Sequence, residues 1–118
     1  MRVAITGAAT GIGAQVAALI KASGADVTAF DITEPQSNIN DWIETDLSDA
    51  ASIRDAINKT SGSFDALINN AGIPPHDGLE EKILRVNYFG LKTFLNAMLD
   101  HLQPVSYTHL TLPTNREV

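Results

Sequence analysis

Short apolar runs alternate along this chain with longer segments in which apolar residues recur every three or four positions. The short runs predict four β-strands, at residues 2–6, 27–30, 42–45 and 64–69. The longer segments predict three helices, at residues 12–23, at about 49–59 after a cap by Ser48 or Asp49, and at about 79–101. Strands that alternate with helices indicate βαβ units with right-handed crossovers. The pattern therefore predicts an α/β fold with a parallel sheet.

A glycine-rich turn joins the first predicted strand to the first helix. Residues 6–13 read TGAATGIG. Because glycine lacks a Cβ and tolerates positive φ, such a turn lets the backbone approach a phosphate closely. The helix that begins there offers free N–H groups and the positive end of its dipole. The turn therefore predicts binding of a dinucleotide pyrophosphate, with tight helix–strand packing as the alternative interpretation.

The spacing of these glycines resembles the TGxxxGxG signature of the short-chain dehydrogenase/reductase family. The resemblance covers residues 1 to about 104 and implies a Rossmann-like, doubly wound sheet with strand order 3-2-1-4. The cofactor crevice would lie between strands one and four, where the order reverses. The cofactor-binding residues expected in this turn are Thr6, Gly7, Thr10, Gly11, Ile12 and Gly13.

An acidic residue, Asp31, stands at the end of the second predicted strand, about eighteen residues after Gly13. A carboxylate there accepts hydrogen bonds from the adenosine ribose and repels a 2′-phosphate. The positions at which NADP-preferring relatives carry a basic residue hold Thr10 and Ile32. We therefore expect NAD as the cofactor, with Asp31 and Ile32 among its contacts. The alternative is a solvated loop carboxylate.

Asp46 and Leu47 follow the third predicted strand. The resemblance implies that the Asp46 carboxylate hydrogen-bonds the adenine amino group, and that the Leu47 backbone meets the ring. Alternatively, Asp46 stabilises the dipole at the N-terminal end of the next helix, and Asp46 and Asp49 share the two roles.

The tetrapeptide NNAG ends the fourth predicted strand and matches a second family motif. Its members are Asn69, Asn70, Ala71 and Gly72. The resemblance implies that this segment lines the adenosine and ribose, while Asn69 supports the central sheet. A strand-end turn is the alternative, since asparagine and glycine are common in turns.

Asn87, within the third predicted helix, is the candidate catalytic residue. It matches the asparagine with which the family holds a water in a proton relay. Asparagine has a low helix propensity, so its presence among apolar residues in the middle of a helix suggests a specific role. A polar side chain satisfied at a helix–helix contact is the alternative.

The family's other catalytic groups are a serine after strand five and a Tyr-x3-Lys on the following helix. Tyrosine has a pKa of about 10. To act as a general acid or base at neutral pH, it needs a nearby cation that stabilises its phenolate. Tyr88 and Lys92 have the right spacing, but they precede any fifth strand and overlap the motif of Asn87. Ser106 and Tyr107 have no lysine after them. We therefore expect this chain to be catalytically inactive.

The last fourteen residues, 105–118, read VSYTHLTLPTNREV and resemble a translated sequencing-library adapter. We set them aside as a non-native tail, with an irregular natural tail as the alternative. Residues 1–104 would then form a truncated, partial NAD-binding domain. Strand four is expected to remain an unpaired apolar edge.

Length, net charge and residue composition limit which ligands and partners this chain is expected to bind. A chain of 118 residues suits one small domain, and a net charge of −6 argues against nucleic acid or an anionic membrane. The absence of cysteine excludes disulfides and thiolate ligands, and no histidines and carboxylates stand at metal-ligand spacing. With no long apolar segment, a cytoplasmic location is the default expectation.

These observations predict a fragment of an NAD-dependent oxidoreductase. The parent enzyme would transfer a hydride between NAD and a secondary alcohol or ketone, and relatives often pair through helices, so a homo-oligomer is expected. Residues 42–53 and 87–90 resemble the bacterial hydroxysteroid or aryl-alcohol dehydrogenase branch. The alternatives are a non-catalytic dinucleotide-binding module and, less compatible with NNAG, a site for S-adenosylmethionine.

Overall fold

A five-stranded parallel sheet forms the centre of the molecule. The computed structural model describes residues 1–74 and 76–110. The strands are β1 Arg2–Thr6, β2 Asp26–Asp31, β3 Asp41–Glu44, β4 Phe64–Asn69 and β5 Leu102–Leu110. Their order is β3-β2-β1-β4-β5, with every neighbouring pair parallel. The predicted α/β class and the order 3-2-1-4 are confirmed, and a fifth strand extends the sheet.

The fifth strand corrects the expectation that strand four is an unpaired edge. β5 pairs with β4 in a register that places Leu110 opposite Asn69, so strand four is not an unpaired edge. The sequence of β5 contains valine, tyrosine and threonine, which favour extended backbone, and the edge of β4 offers free N–H and C=O groups. Residues 105–110 of the predicted non-native tail are therefore part of a strand, whatever the origin of their sequence. Residues 111–118 of the predicted tail lie outside the described residues.

Helices cover both faces of the sheet, as a doubly wound fold requires. Helix α1, Gly11–Ala22, packs over a core of small and branched side chains: Ile5, Ala8, Ala17, Val27 and Ala29. Helix α2, Ala50–Lys59, and a third helix cover the other face, around three aromatic rings. The ring of Phe30 makes edge-on contacts with Phe64 and Phe94, at centroid distances of 6.2 and 5.1 Å.

The third helix, called here the long helix, runs from residue 80 to 101 and changes geometry along its length. Its segments are α-helical Glu80–Leu84, π-helical Arg85–Gly90, α-helical Leu91–Met98 and a final 3₁₀ turn, Leu99–His101. A π turn holds an extra residue, which rotates the buried face. Phe89 is half-exposed despite its apolar ring, and Gly90 is buried against the carbonyl of Leu47.

Candidate functional site

A cleft of about 380 Å³ opens at the carboxyl ends of β1 to β4. Parallel strands end at the same edge of a sheet, so the loops that follow them converge there. The lining residues predicted from sequence are Gly7, Thr10, Asp31, Ile32, Asp46, Leu47, Asn70, Ala71 and Gly72. Five other predicted residues do not line it: Thr6, Gly11, Ile12, Gly13 and Asn69. The cleft therefore assembles residues from four separate loops.

The glycine turn at the cleft is closely packed. A Cβ on Gly7 would lie 2.8 Å from Cα of Ala71, and a Cβ on Gly13 would overlap the carbonyl oxygen of Gly7. Gly11, in contrast, has open space beside it and a φ of +59°. Packing thus accounts for Gly13, whereas backbone conformation accounts for Gly11. Ile12 is exposed at the start of α1.

Thr6 joins the ends of β1 and β4 at the point where the strand order reverses. Its hydroxyl oxygen accepts hydrogen bonds from the N–H groups of Asn70 and Ala71, each at 3.0 Å. The side-chain amide of Asn70 donates to the carbonyl of Gly7 at 3.2 Å. Thr6 is fully buried, and Asn69 is buried beside it in the sheet. Thr6 thus holds the start of the loop after β4, and neither Thr6 nor Asn69 lines the cleft.

The carboxylate of Asp31 is fixed at the cleft by two backbone groups. Oδ2 accepts from the N–H of Ala9, and Oδ1 accepts from the N–H of Thr33, both at 3.0 Å. The indole of Trp42 donates to the Asp31 carbonyl at 2.9 Å. Each carboxylate oxygen can accept further hydrogen bonds. Asp31 thus ties the glycine turn to β2 and retains acceptor capacity toward the cleft.

Asp46 is oriented by Ser48. Its Oδ1 accepts from the Ser48 hydroxyl at 2.6 Å and from the Ser48 N–H at 2.9 Å. The hydroxyl bond is the main reason that the pKa of the Asp46 carboxyl is lowered; burial opposes it, and the Ser48 N–H and the Lys82 charge add to it. Asp49, whose side chain accepts from Ala51 N, caps α2. Asp46 is therefore an ionised acceptor at the cleft and not the helix cap.

Asn87 is bound to the cleft wall through both ends of its side-chain amide. Oδ1 accepts from the N–H of Ile73 at 2.8 Å, and Nδ2 donates to the carbonyl of Ile73 at 2.9 Å. Ile73 lines the cleft, whereas Asn87 does not. The partner of this helical asparagine is thus a loop backbone rather than a second helix.

Comparison with known proteins decides the family. The short chain dehydrogenase family matches residues 1–107 of this chain. The chain belongs to the short-chain dehydrogenase family. The resemblance drawn from TGAATGIG, NNAG and Asn87 is confirmed.

Relatives of this short-chain dehydrogenase chain include two curated bacterial enzymes. It is 33% identical over 103 residues to a coniferyl-alcohol dehydrogenase of a Pseudomonas strain, covering 87% of this chain and 40% of the relative. It is 31% identical over 105 residues to a 3-alpha-hydroxysteroid dehydrogenase/carbonyl reductase of Comamonas testosteroni, covering 86% and 38%. The chain therefore spans about two fifths of the length of these relatives.

Solved structures of short-chain dehydrogenases are similar to this chain in fold. The 3-alpha-hydroxysteroid dehydrogenase of Pseudomonas sp. B-0831, crystallised with NADH, superposes with a TM-score of 0.73 at 28% identity. The match covers 99% of this chain and 52% of that one. A short-chain dehydrogenase family protein of Francisella tularensis, at 23% identity and a TM-score of 0.79, shows the same fold.

Five cleft residues of this short-chain dehydrogenase chain escaped the sequence analysis: Phe30, Thr45, Ile73, Lys82 and Val86. Among the described residues that line the cleft, Lys82 is the one cation. On sequence alone a lysine on a helix is expected to be a solvated charge. The spacing was the one indication in the sequence: Lys82 lies four residues before Val86, so the two side chains share a helix face.

Tyr88, the predicted non-catalytic tyrosine, is half-exposed and does not line the cleft. Its ring packs edge-on against Phe89 at 5.0 Å. Within residues 1–74 and 76–110, no group of three or more His, Cys, Asp or Glu side chains could hold a metal ion. No helix in that part of the chain is both long and apolar enough to cross a membrane.

Proposed function

We propose that this chain is the dinucleotide-binding part of an NAD-dependent oxidoreductase. The whole protein would transfer a hydride between NAD and a secondary alcohol or ketone. The observation that carries the proposal is Asp31, whose carboxylate lies in the cleft and is held by the Ala9 N–H of the glycine turn. One carboxylate is thus fixed next to a phosphate-binding turn, as recognition of a nucleotide ribose requires.

The residues at and beside the cleft support a dinucleotide as the ligand. Gly11 leaves open space beside the turn at the start of α1, where free N–H groups suit a pyrophosphate. Asp31 would hold the adenosine ribose, and Asp46 with Leu47 would hold the adenine. Asn70, Ala71 and Gly72 would line the adenosine side, because they form the loop after β4.

NAD is proposed in preference to NADP on electrostatic grounds. The Asp31 carboxylate would repel a 2′-phosphate, and the neighbouring cleft residues Thr10 and Ile32 carry no charge to offset that repulsion. The relative crystallised with NADH supports a nicotinamide cofactor.

Asn87 is proposed to hold a water in the proton relay of the complete enzyme. Both ends of its side-chain amide are bonded to the backbone of Ile73, so we propose that its backbone carbonyl accepts the hydrogen bond from the water. In a regular α-helix the Leu91 N–H would bond that carbonyl, but here it bonds the carbonyls of Val86 and Tyr88. The bound nicotinamide would supply the hydride chemistry, while Asn87 would position the water.

We propose that the 118 residues alone do not catalyse turnover. Tyr88 and Lys92 lie on the helix of Asn87, and neither lines the cleft. The substrate of the whole protein is proposed to be a steroid-like or aryl alcohol, from the two curated relatives. A cytoplasmic location and a homo-oligomeric parent complete the proposal, with residues 105–118 as a non-native tail.

Calorimetric titration and a turnover assay test this proposal. NAD is expected to bind, NADP to bind at least about tenfold more weakly, and a panel of hydroxysteroids and aryl alcohols to give no turnover. Absence of NAD binding would overturn the cofactor assignment. Turnover that Tyr88→Phe abolishes would overturn the assignment of Tyr88 as non-catalytic.

A non-catalytic dinucleotide-binding module is the second candidate, and β5 favours it. Because β5 covers the edge of β4, the sheet has the pairing that a self-contained domain needs. The coding DNA separates the two candidates. A serine and then Tyr-x3-Lys in frame after codon 104 supports the enzyme, and a natural stop codon supports the module.

A further inference from the structure

Trp42, in β3, bonds to the backbone of the residue proposed to hold the adenosine ribose. Its indole Nε1–H donates to the carbonyl oxygen of Asp31 at 2.9 Å. The same oxygen accepts from the Thr45 N–H at 3.0 Å, where β3 ends. Asp31 lines the cleft, whereas Trp42 does not. The indole is therefore a second donor to the carbonyl of a cleft residue, and it acts from outside the cleft.

The packing of Trp42 explains how its ring reaches Asp31. Trp42 pairs with Ala29 in the parallel register of β3 and β2, and both residues pack in the core beneath α1. Ala29 presents only a methyl group on this face of the sheet. Asp31 follows Ala29 by two residues, so its side chain lies on the same face. The small residue at position 29 thus leaves room for the indole beside the end of β2.

The carbonyl of Asp31 is coupled to the position of its carboxylate, because the peptide group that follows is planar. Fixing the carbonyl oxygen fixes the plane of the 31–32 peptide, and with it the start of the loop that carries Thr33. The Thr33 N–H in turn donates to Oδ1 of Asp31, and the Ala9 N–H donates to Oδ2, both at 3.0 Å. Trp42 is thereby linked to the carboxylate through one peptide group and one Asx turn.

We propose that Trp42 is a positioning residue for recognition of the adenosine ribose. Its indole N–H holds the Asp31 carbonyl, and the turn that follows this carbonyl orients the carboxylate that accepts the ribose hydroxyls. Trp42 itself does not touch the dinucleotide. The inference rests on the proposed function, because it assumes that the ribose of a dinucleotide binds at Asp31.

A double-mutant cycle on the 118-residue chain tests whether Trp42 acts through Asp31. Trp42→Phe keeps an aromatic ring and removes the N–H, and it is expected to weaken NAD binding by about three- to fivefold, as loss of one neutral hydrogen bond would. In an Asp31→Ala background the same substitution should change NAD affinity by less than about 1.5-fold, since the carboxylate that it orients is absent. Calorimetric titration gives the four affinities, and thermal melts establish that each variant folds.

Ile39→Ala is the matched control for lost packing. Ile39 packs against the same core as Trp42, and its apolar side chain offers no hydrogen bond to Asp31. The control is expected to lower the melting temperature and to leave NAD affinity unchanged.

The emission of Trp42 gives a second measurement on the unmodified chain, in which it is the single tryptophan. ADP-ribose carries the adenosine ribose and is expected to shift or quench this emission. Nicotinamide mononucleotide carries no adenosine and should leave the emission unchanged at the same concentration. Emission that stays constant while calorimetry shows ADP-ribose to bind would overturn the role of Trp42, even if Trp42→Phe fails to fold.

The outcomes separate this proposal from the cofactor assignment. Wild-type protein that does not bind NAD overturns both. Wild-type protein that binds NAD, with a folded Trp42→Phe variant of unchanged affinity, overturns the role of Trp42 alone, and so does an equal loss in the wild-type and Asp31→Ala backgrounds. A loss of affinity that requires Asp31, together with unchanged affinity in Ile39→Ala, supports positioning of the carboxylate by Trp42.

Discussion

The backbone of Gly13 lies directly against the carbonyl oxygen of Gly7, so that a Cβ at position 13 would overlap that oxygen. This contact seats the first turn of α1 on the end of β1. Gly13→Ala is therefore expected to destabilise the fold by about 1–3 kcal/mol and to displace the turn. Thermal denaturation measures the first effect, and NAD titration measures the second.

Gly72→Ala is the matched control for that substitution. Its added Cβ would lie 3.4 Å from Oδ1 of Asn87, an ordinary contact, so its melting temperature should stay near that of the wild type. Equal stability of Gly13→Ala and Gly72→Ala would contradict the packing described for the glycine turn.

Asp31→Asn tests the electrostatic choice between the two cofactors. The substitution keeps the size of the side chain and removes its negative charge. NAD affinity should fall by about tenfold, while the preference for NAD over NADP shrinks, because repulsion of the 2′-phosphate is relieved. Fluorescence titration with both dinucleotides gives the ratio. Asp41→Asn, at the exposed start of β3, is the control, and an unchanged ratio in Asp31→Asn would count against the assignment.

Ser48→Ala tests whether the hydrogen bond between the Ser48 hydroxyl and the Asp46 carboxylate stabilises the fold, because that contribution depends on pH. Ser48 lowers the folded-state pKa of Asp46, so the bond stabilises the fold above the unfolded-state pKa and this contribution is lost as pH falls through the folded value. The variant should be less stable at pH 7 by about 1 kcal/mol or less, and the difference should vanish in acid. Urea denaturation at both pH values checks this; a difference that persists in acid would assign it to packing instead.

Asn87→Ala tests how the long helix holds the cleft loop. Loss of both hydrogen bonds to Ile73 leaves its backbone groups without that partner, at a cost of about 1–3 kcal/mol. Amide hydrogen exchange at Ile73 should accelerate. Asn96→Ala, at an exposed position of the same helix, should leave exchange at Ile73 unchanged, and equal rates in the two variants would remove Asn87 from this role.

The sequence predicts the sheet order and most of the cleft because those features follow from local signals. A strand, a glycine turn and a helix fix the position of Gly7, and acidic residues after strands place Asp31 and Asp46 at one edge. The apolar spacing of the long helix, however, is compatible with regular α-helix. The π segment coincides with a tertiary contact, that between Asn87 and Ile73, which spacing does not reveal.

Two further features depend on tertiary context. β5 forms where the edge of β4 offers hydrogen-bonding groups, and the sequence of residues 105–110 does not by itself reveal that pairing partner. Lys82 becomes a cleft residue only because the long helix begins beside the loop after β3. The four-residue spacing of Lys82 and Val86 shows that they share a helix face but not which loop that face meets, whereas Asp46 directly follows a predicted strand.

Amide chemical-shift mapping of an NAD titration tests the central claim most directly. Binding in the cleft predicts perturbations concentrated at the carboxyl ends of the strands, at Gly7, Ile32, Leu47 and Gly72. The amide of Arg2, at the opposite end of β1, should not move. A spectrum that NAD leaves unchanged, or one in which the perturbations cluster around Arg2, would contradict the assignment of this cleft as a dinucleotide site.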